Sequence, residues 1–152
     1  MGKYGFRKDL SRDELLVANN QGIIFEECQY LGVDAVEYIT KFMDGEIAKA
    51  LDDMEPGVYS AGSAPLKRAA LNLMSPVEPY NESRRLNEDA LAWLGYIYRY
   101  WNYLLGMPSK EIVKAVPVDT ALRCYPAYHC MGNVEAISKM LREHAPEVYA
   151  AL

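Results

Sequence analysis

The stretch WLGYIYRYWNYLLGMPSKEI, residues 93–112, places six large aromatic side chains within eleven residues. In and just before it, apolar residues recur three and four positions apart, which predicts one continuous helical seam of Leu91, Leu94, Tyr98, Trp101 and Leu105. Four further aromatics fall on other faces of the same helix: Trp93, Tyr96, Tyr100 and Tyr103. A helix that is apolar on every side is normally buried inside a domain, so this segment predicts the central helix of the fold.

Both ends of this central helix carry recognisable signals. Asn87 suits the N-cap, and the acidic Glu88 and Asp89 in the first turn complement the helix dipole. Gly106 follows the last apolar position, and glycine commonly ends a helix in the left-handed conformation. These signals predict a helix over residues 88–105.

Upstream, residues 11–54 predict a helical hairpin. Ser11 and Glu14 match the capping box, in which each side chain bonds the backbone amide of the other residue. Gly22 is a weak point in the helix that follows, because glycine lowers helix propensity. The second helix begins around Asp34 and carries apolar residues at helical spacing. Two amphipathic helices joined tightly in this way indicate a hairpin.

Glycine and proline interrupt the next part of the chain more often. A break is expected at Asp44-Gly45, and residues 55–87 predict a long, partly irregular connector. Within it only residues 65–74 predict a short helix, with proline at its first position. Because the connector is too apolar for a free linker, we expect it to wrap the core through Tyr59, Leu66, Leu71 and Tyr80.

Short helices are predicted after the central helix. Ser109 and Asp119 are the expected caps of two of them, and Asn133 opens the last. Pro126 either interrupts the middle helix or starts a new one. No segment shows the convincing alternation of a strand. The sequence therefore predicts an all-α fold, a single compact domain of 152 residues with five to seven helices, in which residues 88–145 supply the central helix and the C-terminal short helices.

Composition limits the class of function. A net charge of −5 and a pI of about 5.1 mean that the phosphate backbone of a nucleic acid is repelled on average. The three cysteines, with no C-x-x-C pair, argue against a disulfide framework. The first residues lack the apolar run of a signal peptide, and no run of about 18 apolar residues is present to span a membrane. We expect a cytoplasmic protein that does not enter the membrane.

Residues 109–130 have the spacing of a helix-turn-helix. The second helix of a DNA-reading motif should carry polar and basic residues at its start. Here Thr120, Ala121 and Leu122 come before Arg123, which suits helix packing better than base reading. DNA binding through this segment is kept as one alternative function.

Arg123 and His129 are separated by five residues. This spacing resembles the motif of the HEPN ribonucleases, small all-helical proteins that cleave RNA as dimers. The resemblance implies that His129 acts as general acid or base and Arg123 as a phosphate clamp. On one unbroken helix the two side chains would lie roughly 240° apart and would not converge, so the alternative requires Pro126 to begin a new helix.

Other site chemistry is incomplete in the sequence. Cys124, His129 and Cys130 are zinc-type ligands, but adjacent His-Cys is awkward for tetrahedral ligation and no fourth ligand stands at a usual spacing. No Ser-His-Asp arrangement, glycine-rich phosphate loop or H-E-x-x-H is present. We therefore expect no metal and no cofactor. The acidic pairs Glu26-Glu27 and Asp52-Asp53 are expected on solvated faces.

Two segments carry a family resemblance. These are residues 38–53, YITKFMDGEIAKALDD, and residues 96–137, which hold an aromatic helix, a small-residue turn, SKEI and then Tyr-x-x-Tyr-His. They resemble small uncharacterised helical proteins of bacterial toxin–antitoxin-like operons, which are often encoded beside ADP-ribosyltransferase-like proteins. The resemblance implies a bacterial protein that binds and restrains, or accompanies, another protein, and it transfers no catalytic residue.

Together these observations favour an interaction module over an enzyme. An excess of aromatics on one helix, without a complete catalytic set, predicts a non-enzymatic antitoxin-like protein that docks an aromatic face on a second protein. The acidic balance would speed association with a basic partner, for which a neighbouring gene is a candidate source; a homodimer is the other arrangement considered. The expected partner-binding residues are Trp93, Tyr96, Tyr100, Trp101 and Tyr103.

Overall fold

The computed structural model describes residues 4–7 and 9–152, and within these residues the chain is all-helical, as expected, with ten α-helices and no strand. The helices are α1 (Arg12–Glu27), α2 (Ala35–Asp44), α3 (Glu46–Asp52), α4 (Pro56–Tyr59), α5 (Ser63–Leu73), α6 (Glu88–Leu105), α7 (Ser109–Ala115), α8 (Val118–Tyr128), α9 (Asn133–His144) and α10 (Pro146–Ala150). In this part of the chain, no helix has both the length and the apolar character needed to cross a bilayer.

The ten helices exceed the five to seven expected. The break predicted near Gly45 separates α2 from α3, because this glycine has an extended backbone with φ −100° and ψ −178°. Both α4 and α10 begin with proline, at Pro56 and Pro146. Proline fits the first helical position because it lacks the amide hydrogen that would otherwise be unpaired there. Two of the short additional helices therefore begin at a proline.

Several predicted helix ends are confirmed. The amide of Glu14 donates to Ser11 Oγ at 3.1 Å, and the amide of Ser11 donates to Glu14 Oε1 at 2.8 Å, which completes the capping box. Asn87 caps α6 by accepting from the backbone amides of its first turn. Gly106 ends α6 with φ 72°, a conformation that glycine adopts without steric cost.

Two predicted caps are wrong, Ser109 by one position and Asp119 by two. Pro108 is the N-cap of α7, so Ser109 is its first helical residue. Pro117 is the N-cap of α8, so Asp119 lies in the first turn instead of capping it. Both N-cap prolines have an extended backbone, with ψ 145° at Pro108 and 157° at Pro117, so each helix begins before the polar residue that the sequence indicated as its cap.

Helices α1 and α6 form an antiparallel pair at the centre of the fold. The start of α1 lies beside the end of α6, where Arg7 Nη1 donates to the Tyr103 carbonyl at 3.2 Å. At the opposite end, Gln29 Nε2 donates to the Leu86 carbonyl at 3.1 Å. The predicted seam of α6 is confirmed as core, since all five of its residues are at most 3% exposed.

The connector lies against this core. Leu66 of α5 is buried, and Tyr59 and Leu71 are partly buried against the core residues. Tyr38 of α2 donates its hydroxyl to the Lys67 carbonyl at 2.8 Å, which ties α5 to the hairpin. These contacts agree with a connector that wraps the core.

Candidate functional site

Three of the five expected partner-binding residues lie on the one flank of α6 that the core leaves open. Trp93, Tyr96 and Tyr100 are half-buried. Trp101 is 0% exposed and Tyr103 is 4% exposed. The prediction for these last two is corrected: Trp101 belongs to the buried seam, and the Tyr103 hydroxyl donates to a carbonyl of α3 at 2.7 Å, so neither side chain is available to a partner.

Exposed aliphatic residues of α1 lie on the same side as this flank. Ile23 follows the contact residue Gly22 by one position, and Tyr96 follows the contact residue Gly95 by one position. Because antiparallel helices wind in opposite senses when viewed from one end, these two side chains point to the same side of the pair. Leu16 is 55% exposed and Ile23 is 39% exposed, and they are seven residues apart on one stripe of α1. The aromatic face is defined here as Leu16, Ile23, Trp93, Tyr96 and Tyr100.

Ring contacts hold the aromatic face and extend it onto α8. The ring centroids of Trp93 and Tyr125 are 5.8 Å apart in an edge-on arrangement, and those of Tyr96 and Tyr100 are also 5.8 Å apart. Tyr125 stacks in turn on His129 with a centroid distance of 4.4 Å. Edge-on and offset ring pairs are favourable geometries, so the half-buried rings are fixed before any partner arrives.

The end of the aromatic face where α1 finishes and α6 starts is acidic. Four carboxylates belong to these two helix ends: Glu26, Glu27, Glu88 and Asp89. Lys67 lies 3.5 Å from Glu27, and Arg85 lies 3.9 Å from Glu88. Among the described residues, these two cations do not balance the four carboxylates, so a net negative charge remains at this end. Such a surplus favours approach of a basic surface.

The residues of the ribonuclease alternative do not converge within the chain. Pro126 lies inside α8 and does not begin a new helix. The helix continues because only the bond that proline cannot donate is lost, while the His129 amide still reaches the Tyr125 carbonyl at 3.0 Å. Arg123 and His129 are both exposed on this continuous helix and keep the wide angular separation expected for it. Arg123 donates to the Thr120 hydroxyl at 3.3 Å.

The segment considered for DNA reading forms two short helices, α7 and α8, and the first turn of α8 carries an acidic residue. Val118 and Ala121 of α8 are buried, whereas Asp119 in its first turn is exposed. A carboxylate at the N-terminus of a recognition helix repels phosphate and cannot donate a hydrogen bond to the acceptor groups of the bases. Arg123 is the exposed basic residue that follows it.

The cysteine and histidine residues near α8 are also spread apart. Cys124 is buried, with Sγ 3.7 Å from His144 Nε2, whereas His129 and Cys130 are exposed. Burial, followed by the nearby charge of Glu143, raises the pKa of the Cys124 thiol. A thiol held in its protonated form is a weak nucleophile and a weak metal ligand.

Sequence reasoning missed a buried polar network around Arg99, which is 0% exposed. Arg99 Nε donates to Gln21 Oε1 at 2.8 Å, and Nη1 donates to Asn102 Oδ1 at 3.2 Å and to Asp52. Asp52 Oδ2 also accepts from the Ser109 amide at 2.9 Å. Asp52 is therefore not on a solvated face as expected. The sequence held one signal for this network: a buried arginine on an apolar helix requires an acidic partner from another part of the chain.

A cavity of about 680 Å³, with one polar wall, lies next to this network. Its polar wall is formed by Asp52, Asn102 and Tyr103, which join α3 to the end of α6. Near its edge, Arg7 binds Glu14 at 2.6 Å. Burial alone would raise the pKa of Glu14, but hydrogen bonds from Arg7 and Ser11 outweigh it and hold this pKa below the usual value.

Comparisons with known proteins add no assignment to these two sites. No protein-family profile matches the chain, no curated protein is significantly similar to it, and no solved structure matches its fold significantly. The functional conclusion therefore depends on the geometry of the chain itself.

Proposed function

We propose that this chain is a non-enzymatic interaction module that binds and restrains another protein through its aromatic face. In this proposal it is a cytoplasmic, bacterial, antitoxin-like protein, and a neighbouring gene encodes the partner. The mechanism is occlusion: the docked aromatic face covers a surface that the partner needs for its own activity.

The observation that carries the proposal is the row of half-buried aromatics beside exposed aliphatic residues on one side of the α1–α6 pair. Trp93, Tyr96 and Tyr100 keep part of their surface open although most of α6 is buried. Tryptophan and tyrosine dominate binding energy at interfaces because they bury much area and lose few rotamers. Their ring contacts fix these rings in advance, which reduces the entropy lost on binding.

The partner's chemistry follows from the charges around the aromatic face. The acidic end made by α1 and α6 favours a partner with lysine or arginine at the rim of its interface and apolar side chains at the centre. Charge complementarity of this kind mainly raises the association rate, so we expect association to slow as salt increases.

The test compares three tagged full-length proteins as baits in the native host. They are the wild type, a Trp93→Ser/Tyr100→Ser variant, and a Leu73→Ser control whose exposed residue lies beside α2 and α3. We expect one stoichiometric protein to stay bound to the wild type and the control through a high-salt wash, and to be lost from the double variant. Calorimetry with the purified partner should then give similar affinities for the wild type and the control, and a weaker affinity for the double variant.

The restraining role needs a separate readout. Expression of the captured partner alone should slow growth, and co-expression of the wild type, but not of the double variant, should restore it. A partner retained equally by all three baits would place the interface elsewhere. Recovery of only a second copy of this chain would contradict the proposal and would favour the dimeric ribonuclease alternative.

A further inference from the structure

The aromatic face consists of two rows of side chains that run along α1 and α6. On α1, Leu16 and Ile23 are seven residues apart, and on α6, Trp93 and Tyr100 are also seven residues apart. At 1.5 Å per residue, each spacing corresponds to about 10.5 Å along the helix axis. Tyr96 lies between the two other aromatic residues of its row. The face therefore repeats along its length at an interval of two helical turns.

The close contact between α1 and α6 sets the two rows side by side. Gly22 and Gly95 lie at the same level of this antiparallel pair. Counting from that contact in opposite directions along the two helices brings Ile23 to within one residue of the level of Trp93. Because both rows have the same spacing, their other ends also lie near one level. Two apolar pairs are therefore presented about 10.5 Å apart.

This repeat fits a bound helix and does not fit an extended strand. On a helix, side chains at i and i+7 lie on one stripe about 10.5 Å apart, with i+3 or i+4 between them. On a strand, side chains of one face recur at roughly 6.4–6.8 Å, so a strand that meets the first pair is out of step with the second. Amphipathic helices that bind in grooves use anchors with this helical spacing. The geometry favours a helix whose middle anchor lies over Tyr96.

The acidic end of the aromatic face indicates which part of that helix is basic. Asp89 is seven residues before Tyr96, and Glu26 is three residues after the last residue of the α1 row, so both carboxylates continue the rows. The ion pairs at this end are made by Glu27 and Glu88 instead. Opposite charge on the bound helix is therefore expected about one turn beyond its apolar anchors.

We propose that the aromatic face receives one amphipathic α-helix of the partner. This helix carries apolar residues at i, i+3 or i+4, and i+7, with lysine or arginine beyond them at the acidic end of the face. The inference rests on the proposed function, because it names the part of the partner that the face holds. A second copy of this chain fits less well, since the aromatic face has no lysine or arginine of its own to offer.

Three labelled synthetic peptides of about 18 residues, long enough for five helical turns, test this on the intact protein by fluorescence anisotropy at low salt. The stripe peptide has leucine at the three anchor positions and lysines in its last turn, on a background of alanine and glutamine. The scrambled peptide has the same composition without the helical spacing, and the neutral peptide has glutamine in place of the lysines. We expect the stripe peptide to bind, the neutral peptide to bind several-fold more weakly, and the scrambled peptide not to bind.

Variants of the protein locate the bound helix. Trp93→Ser/Tyr100→Ser should abolish binding of the stripe peptide, and Asp89→Asn should weaken it several-fold. Glu135→Gln is the matched control, because it removes an exposed carboxylate from the first turn of another helix, α9, and it should leave binding unchanged. Thermal unfolding checks that each variant is folded. No binding of the stripe peptide, equal binding of the scrambled peptide, or equal effects of the two carboxylate variants would overturn the inference.

The peptide and bait experiments separate failure of this inference from failure of the proposed function. If a partner is captured through the aromatic face but the stripe peptide does not bind, the face holds a different kind of surface and only the helix is wrong. If the stripe peptide binds as expected but no captured partner slows growth, only the restraining role is wrong. A wild-type dimer that the double variant loses would assign the face to a second copy and would overturn the inference.

Discussion

Gly95 of α6 packs directly against the backbone of α1 at Gly22. A Cβ atom on Gly95 would lie 2.4 Å from the Gln21 carbonyl oxygen and 2.8 Å from the Gly22 Cα. A Cβ on Gly22 would lie 2.9 Å from the Ala92 carbonyl oxygen. The two glycines therefore let the central helices approach to backbone contact, which brings Gln21 close enough to hydrogen-bond the Gly95 carbonyl at 2.9 Å.

Gly95→Ala should destabilise the protein by about 3 kcal/mol, because backbone atoms cannot move aside as a flexible side chain can. Gly22→Ala should cost less, roughly 1–2 kcal/mol, since a Cβ there would meet only one backbone atom within 3.0 Å, whereas a Cβ on Gly95 would meet three. Urea unfolding, monitored by circular dichroism, measures the free energy of unfolding of both variants.

Gly57→Ala is the matched control, because nothing lies within 4 Å of a Cβ at that position. It should be neutral or slightly stabilising, since alanine restricts the unfolded chain. If Gly95→Ala were as well tolerated as Gly57→Ala, the result would contradict the backbone contact between α1 and α6.

Arg99 and Asp52 should behave as one energetic unit. Asp52→Ala leaves a fully buried guanidinium without its anion, and breaking a buried pair in this way typically costs about 3–5 kcal/mol. Arg99→Met removes the charge and keeps a similar apolar volume, so the double variant should be more stable than the sum of the single losses predicts. A double-mutant cycle should give a coupling energy of about 1–3 kcal/mol. Losses that add within 0.5 kcal/mol or so would show that the pair contributes no specific stability.

The features that the sequence predicts correctly are local ones. The Ser11–Glu14 capping box, the Asn87 cap and the seam of α6 each depend on residues within a few turns of one another, so spacing alone identifies them. Gly22 shows the limit of that reasoning: its low helix propensity is visible in the sequence, but its contact with α6 depends on a residue more than seventy positions away.

The same limit applies to the candidate sites. Asp52 looks solvated because its partner Arg99 lies 47 residues away along the chain. Trp101 and Tyr103 look as suitable for an interface as Trp93, because residue type does not reveal which flank of α6 other helices cover. The cavity is formed by the ends of helices that are remote in sequence, and no motif marks it.

The pair Arg7–Glu14 should make stability depend on pH. The pKa of Glu14 is lower in the folded protein than its usual value, so its contribution is present above the unfolded pKa and is lost as pH falls through the folded pKa. Arg7→Met should therefore lower stability at pH 7 and have little effect in strong acid. We expect a loss of only about 0.5 kcal/mol, because Arg7 is half exposed and solvent screens the pair.

Urea unfolding of the wild type and Arg7→Met between neutral and acidic pH checks this. Lys49→Met is the control, since Lys49 and Asp53 form an exposed pair and its loss should make no measurable difference. A difference between wild type and Arg7→Met that stays constant across the whole pH range would contradict the assignment of Glu14 as the titrating partner.

The two tryptophans of the chain provide a direct test of which flank of α6 is open. In Trp93→Phe the remaining fluorophore is Trp101, which is 0% exposed, and its emission should be blue-shifted and poorly quenched by acrylamide. In Trp101→Phe the remaining fluorophore is the half-buried Trp93, which should be quenched more strongly.

Phenylalanine is chosen at both positions to keep the fold. At Trp101 it also removes an indole Nε1 donor that is buried without a hydrogen-bond partner among the described atoms, which offsets part of the lost packing. Trp101→Ala, in contrast, should cost about 3–5 kcal/mol because it leaves a cavity at the centre of the seam. Equal quenching of the two phenylalanine variants would mean that Trp93 is as buried as Trp101. The aromatic face, and with it the proposed docking site, would then be wrong.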